Sequence, residues 1–257
     1  MADARRTLEG KAAIITGAGQ GIGRAFAGAF GDAGARVIVA DLDVAAGEET
    51  AAQLRAAGHD SIAIATDVTD EQAVEAMVDT AISRFGQVDV LLNNAAIFST
   101  ITMKPFDEIE IDEWRTVIDV NLTGVFLCCR AVGRQWKKRH AGGSIINVSS
   151  ATVLGGRPNY LHYVASKAGL VGLTRSLARE LGPTGATVNA LMPGSVDTGI
   201  RRDSIRPGQA EEIVAAQALH RRLRPADVVG AAVFLASGAA GSITGQTIVV
   251  DGGMNFL

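Results

Sequence analysis

At 257 residues, with 47% hydrophobic and 20% charged residues, the chain is long and apolar enough for one α/β domain with a sizeable core, which excludes intrinsic disorder. A formal net charge of −3 gives no footing for a nucleic-acid partner, and His59, His140, His162 and His220 have no metal-ligand spacing, so no metal is expected. The two cysteines, Cys128 and Cys129, are neighbours unsuited to an ordinary disulfide framework, and no signal-peptide core or apolar run of spanning length is read, so a cytoplasmic protein without a membrane partner is expected.

From residue 11 onward, short β-branched runs alternate with longer Ala-rich helical stretches. This rhythm predicts one domain over 1–257, a doubly wound, Rossmann-like fold with a mainly parallel seven-stranded sheet and helices on both faces. The first strand is expected at 12–16. It runs directly into Thr16-Gly17-Ala18-Gly19-Gln20-Gly21-Ile22-Gly23 and a helix over 22–33, the place where backbone amides and a positive helix end meet a pyrophosphate. The glycine spacing is Gly-x3-Gly-x-Gly, different from the usual dinucleotide fingerprint. The second strand, 36–40, is followed by Asp41 and Leu42. A carboxylate there can accept hydrogen bonds from both adenosine ribose hydroxyls and repels a 2′-phosphate, which favours NAD over NADP. Gln20 stands where a basic residue would argue the other way, and Arg24 falls inside the helix and is not read as a phosphate clamp.

A helix over 44–57, a strand over 61–65 and a helix over 70–85 follow, then a strand over 88–93 and one long helix over 111–139. After a strand at 143–148 comes a helix over 160–181, on which Tyr163 and Lys167 are four residues apart, hence on one face and one turn apart. Tyrosine is a poor base at its ordinary pKa of about 10, but nearby positive charge favours the phenolate. The strand 187–192 leads into the least regular stretch, 194–215, read as a substrate loop. A helix over 225–236 opened by Pro225 and a last strand over 247–250 complete the chain.

In this order the motifs resemble the short-chain dehydrogenase/reductase family across nearly the whole chain. Thr16-Gly17-x3-Gly21-x-Gly23, with Gln20 and Ile22 inside it, is similar to that family's cofactor loop. Asp67-Val68 resembles its adenine contact, Asn93-Asn94-Ala95 its central strand end, and Asn121 its helix-borne asparagine. Ser150, thirteen residues before Tyr163, matches the catalytic serine, and Tyr163 with Lys167 the Tyr-x3-Lys pair. Pro193-Gly194 with Val196 and Thr198 resembles the segment that binds the nicotinamide carboxamide. Ala96 departs from the pattern, where the family often has glycine. Ser149 and Tyr160 are decoys by spacing, because only Tyr163 has a lysine four residues on.

The resemblance implies hydride transfer between NAD(H) and a secondary alcohol or ketone. Ser150 would bond the substrate oxygen and Tyr163 exchange its proton. Lys167 would hold the nicotinamide ribose and lower the Tyr163 pKa, and Asn121 would hold a proton-relaying water. Phe98, Thr152, Arg157, Tyr160 and the 194–215 loop are expected to border a mostly apolar substrate space, which favours a hydrophobic alcohol. An NADPH-dependent 3-oxoacyl thioester reductase is the alternative, against which Asp41 argues. A catalytically idle nucleotide-binding regulatory protein is the third reading, against which the complete Asn121, Ser150, Tyr163 and Lys167 set argues. Relatives of this kind are usually homotetramers, and the tail Ile248–Met254 resembles their assembly edge.

Overall fold

An apolar β-branched strand covered on both faces belongs at the centre of a parallel sheet, and Ala12–Thr16 (β1) is buried at all five positions. The computed structural model describes residues 7–200 and 208–256. The other strands are Arg36–Asp41 (β2), Ser61–Ala65 (β3), Val90–Asn93 (β4), Ser144–Val148 (β5), Thr187–Pro193 (β6) and Thr247–Val250 (β7). They form one parallel sheet in the order β3-β2-β1-β4-β5-β6-β7. The order reverses between β1 and β4, and a crevice opens beyond the carboxyl ends of the strands at such a reversal.

Alternation along each strand feeds two cores. Ile15, Val39 and Leu92 face Phe26 and Phe30 of α1 (Gly21–Asp32) and Val228 and Leu235 of α9 (Pro225–Ala236). Ile14, Ile38 and Leu91 face Met77 of α3 (Glu71–Phe85), Trp136 of α5 (Gly124–Arg139) and Leu170 of α7 (Leu161–Leu181). Each such side chain contributes roughly 1.5–3 kcal/mol when fully buried, so a register slip of one residue would empty both layers together. Local signals fix where the helices begin. Asp43 accepts from the Ala46 amide before α2 (Val44–Ala56), Asp70 accepts from the Gln72 amide before α3, and Pro225 opens α9.

Two expectations need correction. The single helix over 111–139 is divided by a π-helical turn at Asp119–Thr123 between α4 (Ile111–Ile118) and α5. By length and composition Ile111–Arg139 could cross a membrane, but more than half of its most apolar stretch is buried inside the protein, against α3, α7 and the sheet. The stretch 194–215, expected to be irregular, contains α8 (Gln209–Ala216), while 201–207 lie outside the described residues. A single turn, α6 (Thr152–Gly155), precedes α7.

Candidate active site

The crevice is a cleft of about 610 Å3 beyond the carboxyl ends of β1, β4, β5 and β6. At its floor the glycine loop comes close to β4. Thr16 Oγ1 accepts from the amides of Asn94 and Ala95 at 3.0 and 3.1 Å, and Asn94 Nδ2 donates to the carbonyls of Thr16 and Gly17. A Cβ at Gly17, where φ is +63°, would fall 2.7 Å from Ala95 Cα, and a Cβ at Gly23 would overlap the Gly17 carbonyl oxygen. Only glycine lets the first turn of α1 pack so close, which leaves its amides facing a space that fits a pyrophosphate. Ile200, from the segment after β6, closes over this floor: a Cβ at Gly21 would stand 2.8 Å from its Cδ1.

At one end of the cleft the Asp41 carboxylate accepts from the amides of Gly19 at 2.6 Å and Asp43 at 3.0 Å. The Gly19 carbonyl accepts from Arg24 Nη2 at 2.6 Å and Thr50 Oγ1 at 3.2 Å. The Gly19 peptide is thus held at both its N–H and its C=O. Arg24 also pairs with Glu49. Asp67 Oδ1 accepts from the amide and hydroxyl of Thr69, which sets the Asp67-Val68 turn on the cleft wall.

At the other end stand Ser150, Tyr163 and Lys167, each under 10% exposed. Lys167 Nζ lies 5.9 Å from the Tyr163 ring centroid and donates to the Val148 carbonyl at 2.8 Å. Burial pulls its pKa down from 10.5 to about 8. Ser150 Oγ accepts from the Thr152 hydroxyl at 2.8 Å and the Thr152 amide at 3.3 Å, so its own proton can be given to an oxygen in the cleft. Ser149 donates to the Lys167 carbonyl at 2.8 Å and is committed to holding α7. The arrangement can donate a hydrogen bond and exchange a proton at one spot beside a buried cation.

Of the residues expected to bind a cofactor, Gly17, Gln20, Gly21, Ile22, Gly23, Asp41, Leu42, Asp67, Val68, Ala95, Pro193, Gly194, Val196 and Thr198 all line the cleft. Asn93 does not. Strand alternation turns its side chain into the core, where it bonds Asn147, its partner in register, and Cys129; Asn94 lines the cleft instead. Tyr160, expected at the substrate, is fully buried and does not line the cleft; it packs edge-on to Tyr163 at 6.0 Å and to Phe98 at 5.9 Å, both of which do. Asn121 is also buried behind the wall. The π turn presents its amide to Ile97, accepting from the Ile97 N–H at 2.8 Å and donating to its carbonyl at 3.1 Å and to Ser166 Oγ at 3.2 Å. Both of its N–H donors are therefore taken by protein. Ala96 lines the cleft without a positive φ, so alanine replaces the family's glycine there without backbone strain.

Ser195, Ile200, Gln209 and Ile213, from the 194–215 loop expected at the substrate space, line the wall, and so do Ile97, Ser99, Met254 and Asn255, which carry no such expectation. The last two are brought back by buried Asp251, whose carboxylate accepts from the amides of Gly253, Met254 and Asn255. An Asp followed by two glycines, Asp251-Gly252-Gly253, signals such a turn.

The chain matches the family model described as enoyl-(acyl carrier protein) reductase over residues 17–255. It is 40% identical over 255 residues to a short chain dehydrogenase/reductase of Aspergillus oryzae, covering 98% of this chain and 97% of that protein. It is 39% identical over 251 residues to a 3-oxoacyl-(acyl-carrier-protein) reductase of Synechocystis sp., covering 96% and 98%. Identity is 40% over 244 residues to a cis-4-hydroxycyclohexanecarboxylate dehydrogenase of Sinomonas cyclohexanicum, covering 95% and 96%. A crystal structure from Sinorhizobium meliloti, described as a short-chain alcohol dehydrogenase, matches with a TM-score of 0.90 at 35% identity, over 96% of this chain and 97% of that one. A parallel sheet reversing at a glycine-floored cleft, with Tyr163 and Lys167 on its wall and relatives matched end to end, means that this chain belongs to the short-chain dehydrogenase/reductase family of oxidoreductases.

Proposed function

We propose that the protein is an NAD-dependent dehydrogenase that moves hydride between NAD(H) and a hydrophobic secondary alcohol or its ketone. The observation that carries this reading is the placing of Tyr163 on the cleft wall with a buried lysine 5.9 Å from its ring and a serine hydroxyl on the same wall. NAD, held by the glycine floor, Asp41, the Asp67-Val68 turn and Pro193-Gly194, supplies the hydride acceptor when bound. Ser150 donates to the substrate oxygen and fixes it. Tyr163 Oη takes the carbinol proton in oxidation and returns it in reduction. Lys167 has two N–H donors beyond the one given to Val148 for ribose hydroxyls, and its charge favours the phenolate. Asn121 acts here as a positioning residue for the Ile97 backbone.

Asp41 supports NAD over NADP. Two backbone amides fix its carboxylate, which repels a 2′-phosphate and keeps acceptor capacity for ribose hydroxyls. The apolar lining from Ile97, Phe98, Ile213 and Met254 supports a hydrophobic substrate, and one relative is named for an alicyclic secondary alcohol. Relatives named 3-oxoacyl-(acyl-carrier-protein) reductase favour a second reading, reduction of a 3-oxoacyl thioester. A cytoplasmic homotetramer completes the proposal.

Steady-state kcat/KM for a panel of secondary alcohols and ketones and a 3-oxoacyl thioester, each with NAD(H) and NADP(H), tests it. Alcohols should turn over with NAD at least tenfold more efficiently than with NADP, and Asp41→Ala should narrow that gap. Equal use of NADP by the wild type, or turnover of the thioester alone, would overturn the reading.

A further inference from the structure

The substrate end of the cleft has an unspent cation. Among the described charged residues lining the cleft, Asp41 and Asp67 stand at the adenosine end and Lys167 is committed to Tyr163, leaving Arg157. Arg157 is half-buried, and its guanidinium lies over the Tyr160 ring at 4.4 Å from the centroid. Its polar contact among the described residues is Nη2 to the Met103 sulfur at 3.8 Å, a weak acceptor, and no carboxylate pairs with it. Every other cleft-lining charge has a stronger partner. A guanidinium carries five N–H donors, of which Arg157 gives one to the Met103 sulfur, and its fork can grip a carboxylate at two points.

We propose that the substrate alcohol carries a carboxylate and that Arg157 binds it; this rests on the dehydrogenase reading above. The chain sets the spacing. Ser150 lies two residues before α6 and Arg157 two residues after it, and the four residues of α6 rise about 6 Å. The carboxylate would then stand several carbons from the carbinol. Ile97, Phe98 and Met254 on the wall of the same cleft offer apolar surface to that carbon skeleton. A half-buried cation without an acidic partner loses hydration with no ion pair in return, a cost that a bound carboxylate offsets. The planar fork, fixed by stacking, suits a carboxylate on the substrate itself.

The test is a series of hydroxy acids from 4-hydroxypentanoate to 7-hydroxyoctanoate, each paired with its methyl ester, assayed for oxidation with NAD. At least one acid should exceed its ester in kcat/KM by about tenfold to a hundredfold, the range of a hydrogen-bonded charge pair. Arg157→Gln should bring that ratio near one, mainly through KM for the acid, and Arg157→Lys should keep part of it. A wild-type ratio at or below one throughout the series, or a ratio that Arg157→Gln leaves unchanged, would overturn the proposal. If neither acids nor esters are oxidised, the panel of secondary alcohols and ketones decides on the dehydrogenase reading, and calorimetric titration of the same acids decides on Arg157. Binding weakened tenfold or more in Arg157→Gln supports the carboxylate site; binding that is absent from the wild type or unchanged in the variant overturns it.

Discussion

Lys167 is the residue at which burial and chemistry meet. Its ammonium is enclosed, and desolvation brings its pKa from 10.5 to about 8, so folding disfavours the charged form. The folded-state penalty is present in full below pH 8 and disappears as pH rises from 8 past 10.5. Wild-type stability therefore gains across that window relative to any variant lacking the amine. Urea unfolding of wild type and Lys167→Met at pH 7 and pH 10 should show the difference between them moving in favour of wild type by a few kcal/mol, whereas a difference that stays constant would mean that Lys167 keeps an ordinary pKa. The Tyr163–Lys167 pair was legible in the sequence because a spacing of four puts two side chains on one helical face whatever surrounds them. Tyr160 was misplaced for the complementary reason. Three residues before Tyr163 it sits where α7 has not yet begun, and it faces Phe98, brought to it by a long-range fold that no local pattern encodes.

Among the elements, the π turn at Asp119–Thr123 had no signature in a hydrophobic pattern of period 3.6, since one extra residue in a turn leaves the apolar stripe of the helices on either side intact. Its effect is specific. It directs the Asn121 amide onto both backbone groups of Ile97, tying the segment after β4 to the helical layer, with Ser166 of α7 as third partner. Asn121→Ala should free the Ile97 amide, so hydrogen exchange there should accelerate by tenfold or more while exchange in β4 itself stays slow. Unchanged protection at Ile97 would show that the segment is held by packing alone. The strands were legible to within two residues because β-branched runs buried on both faces have few alternatives. The difference between Asn93 and Asn94 needed the register of β4 with β5, which sends one asparagine to the core and its neighbour to the cleft.

The whole molecule leaves large apolar side chains in solvent on more than one face. Ile111, Phe126 and Leu161 are exposed on the α4, α5 and α7 layer, and Phe234 and Phe256 on the side of α9 and the tail. β7 pairs with β6 alone and is half-exposed along its length, so it offers an edge that a second copy can cover. The proposed homotetramer would cover two such patches under dihedral symmetry. Sedimentation velocity should find a tetramer that Phe126→Glu and Phe234→Glu each reduce to a smaller species; a monomeric wild type would contradict it. The return of the tail to the cleft through Asp251 makes Met254 and Asn255 part of both the edge and the substrate wall, a link visible only once β6 and β7 are paired. Single-turnover absorbance of NADH formed from a secondary alcohol measures the proposed exchange of the substrate proton by Tyr163. Removing the phenol with Tyr163→Phe keeps the ring against Phe98 but deletes the acid–base group, so hydride transfer should slow by on the order of a hundredfold to ten-thousandfold with NAD affinity nearly retained, while Tyr160→Phe stays close to wild type. A Tyr163→Phe rate within about tenfold of wild type, well short of what general acid–base catalysis contributes, would contradict the account.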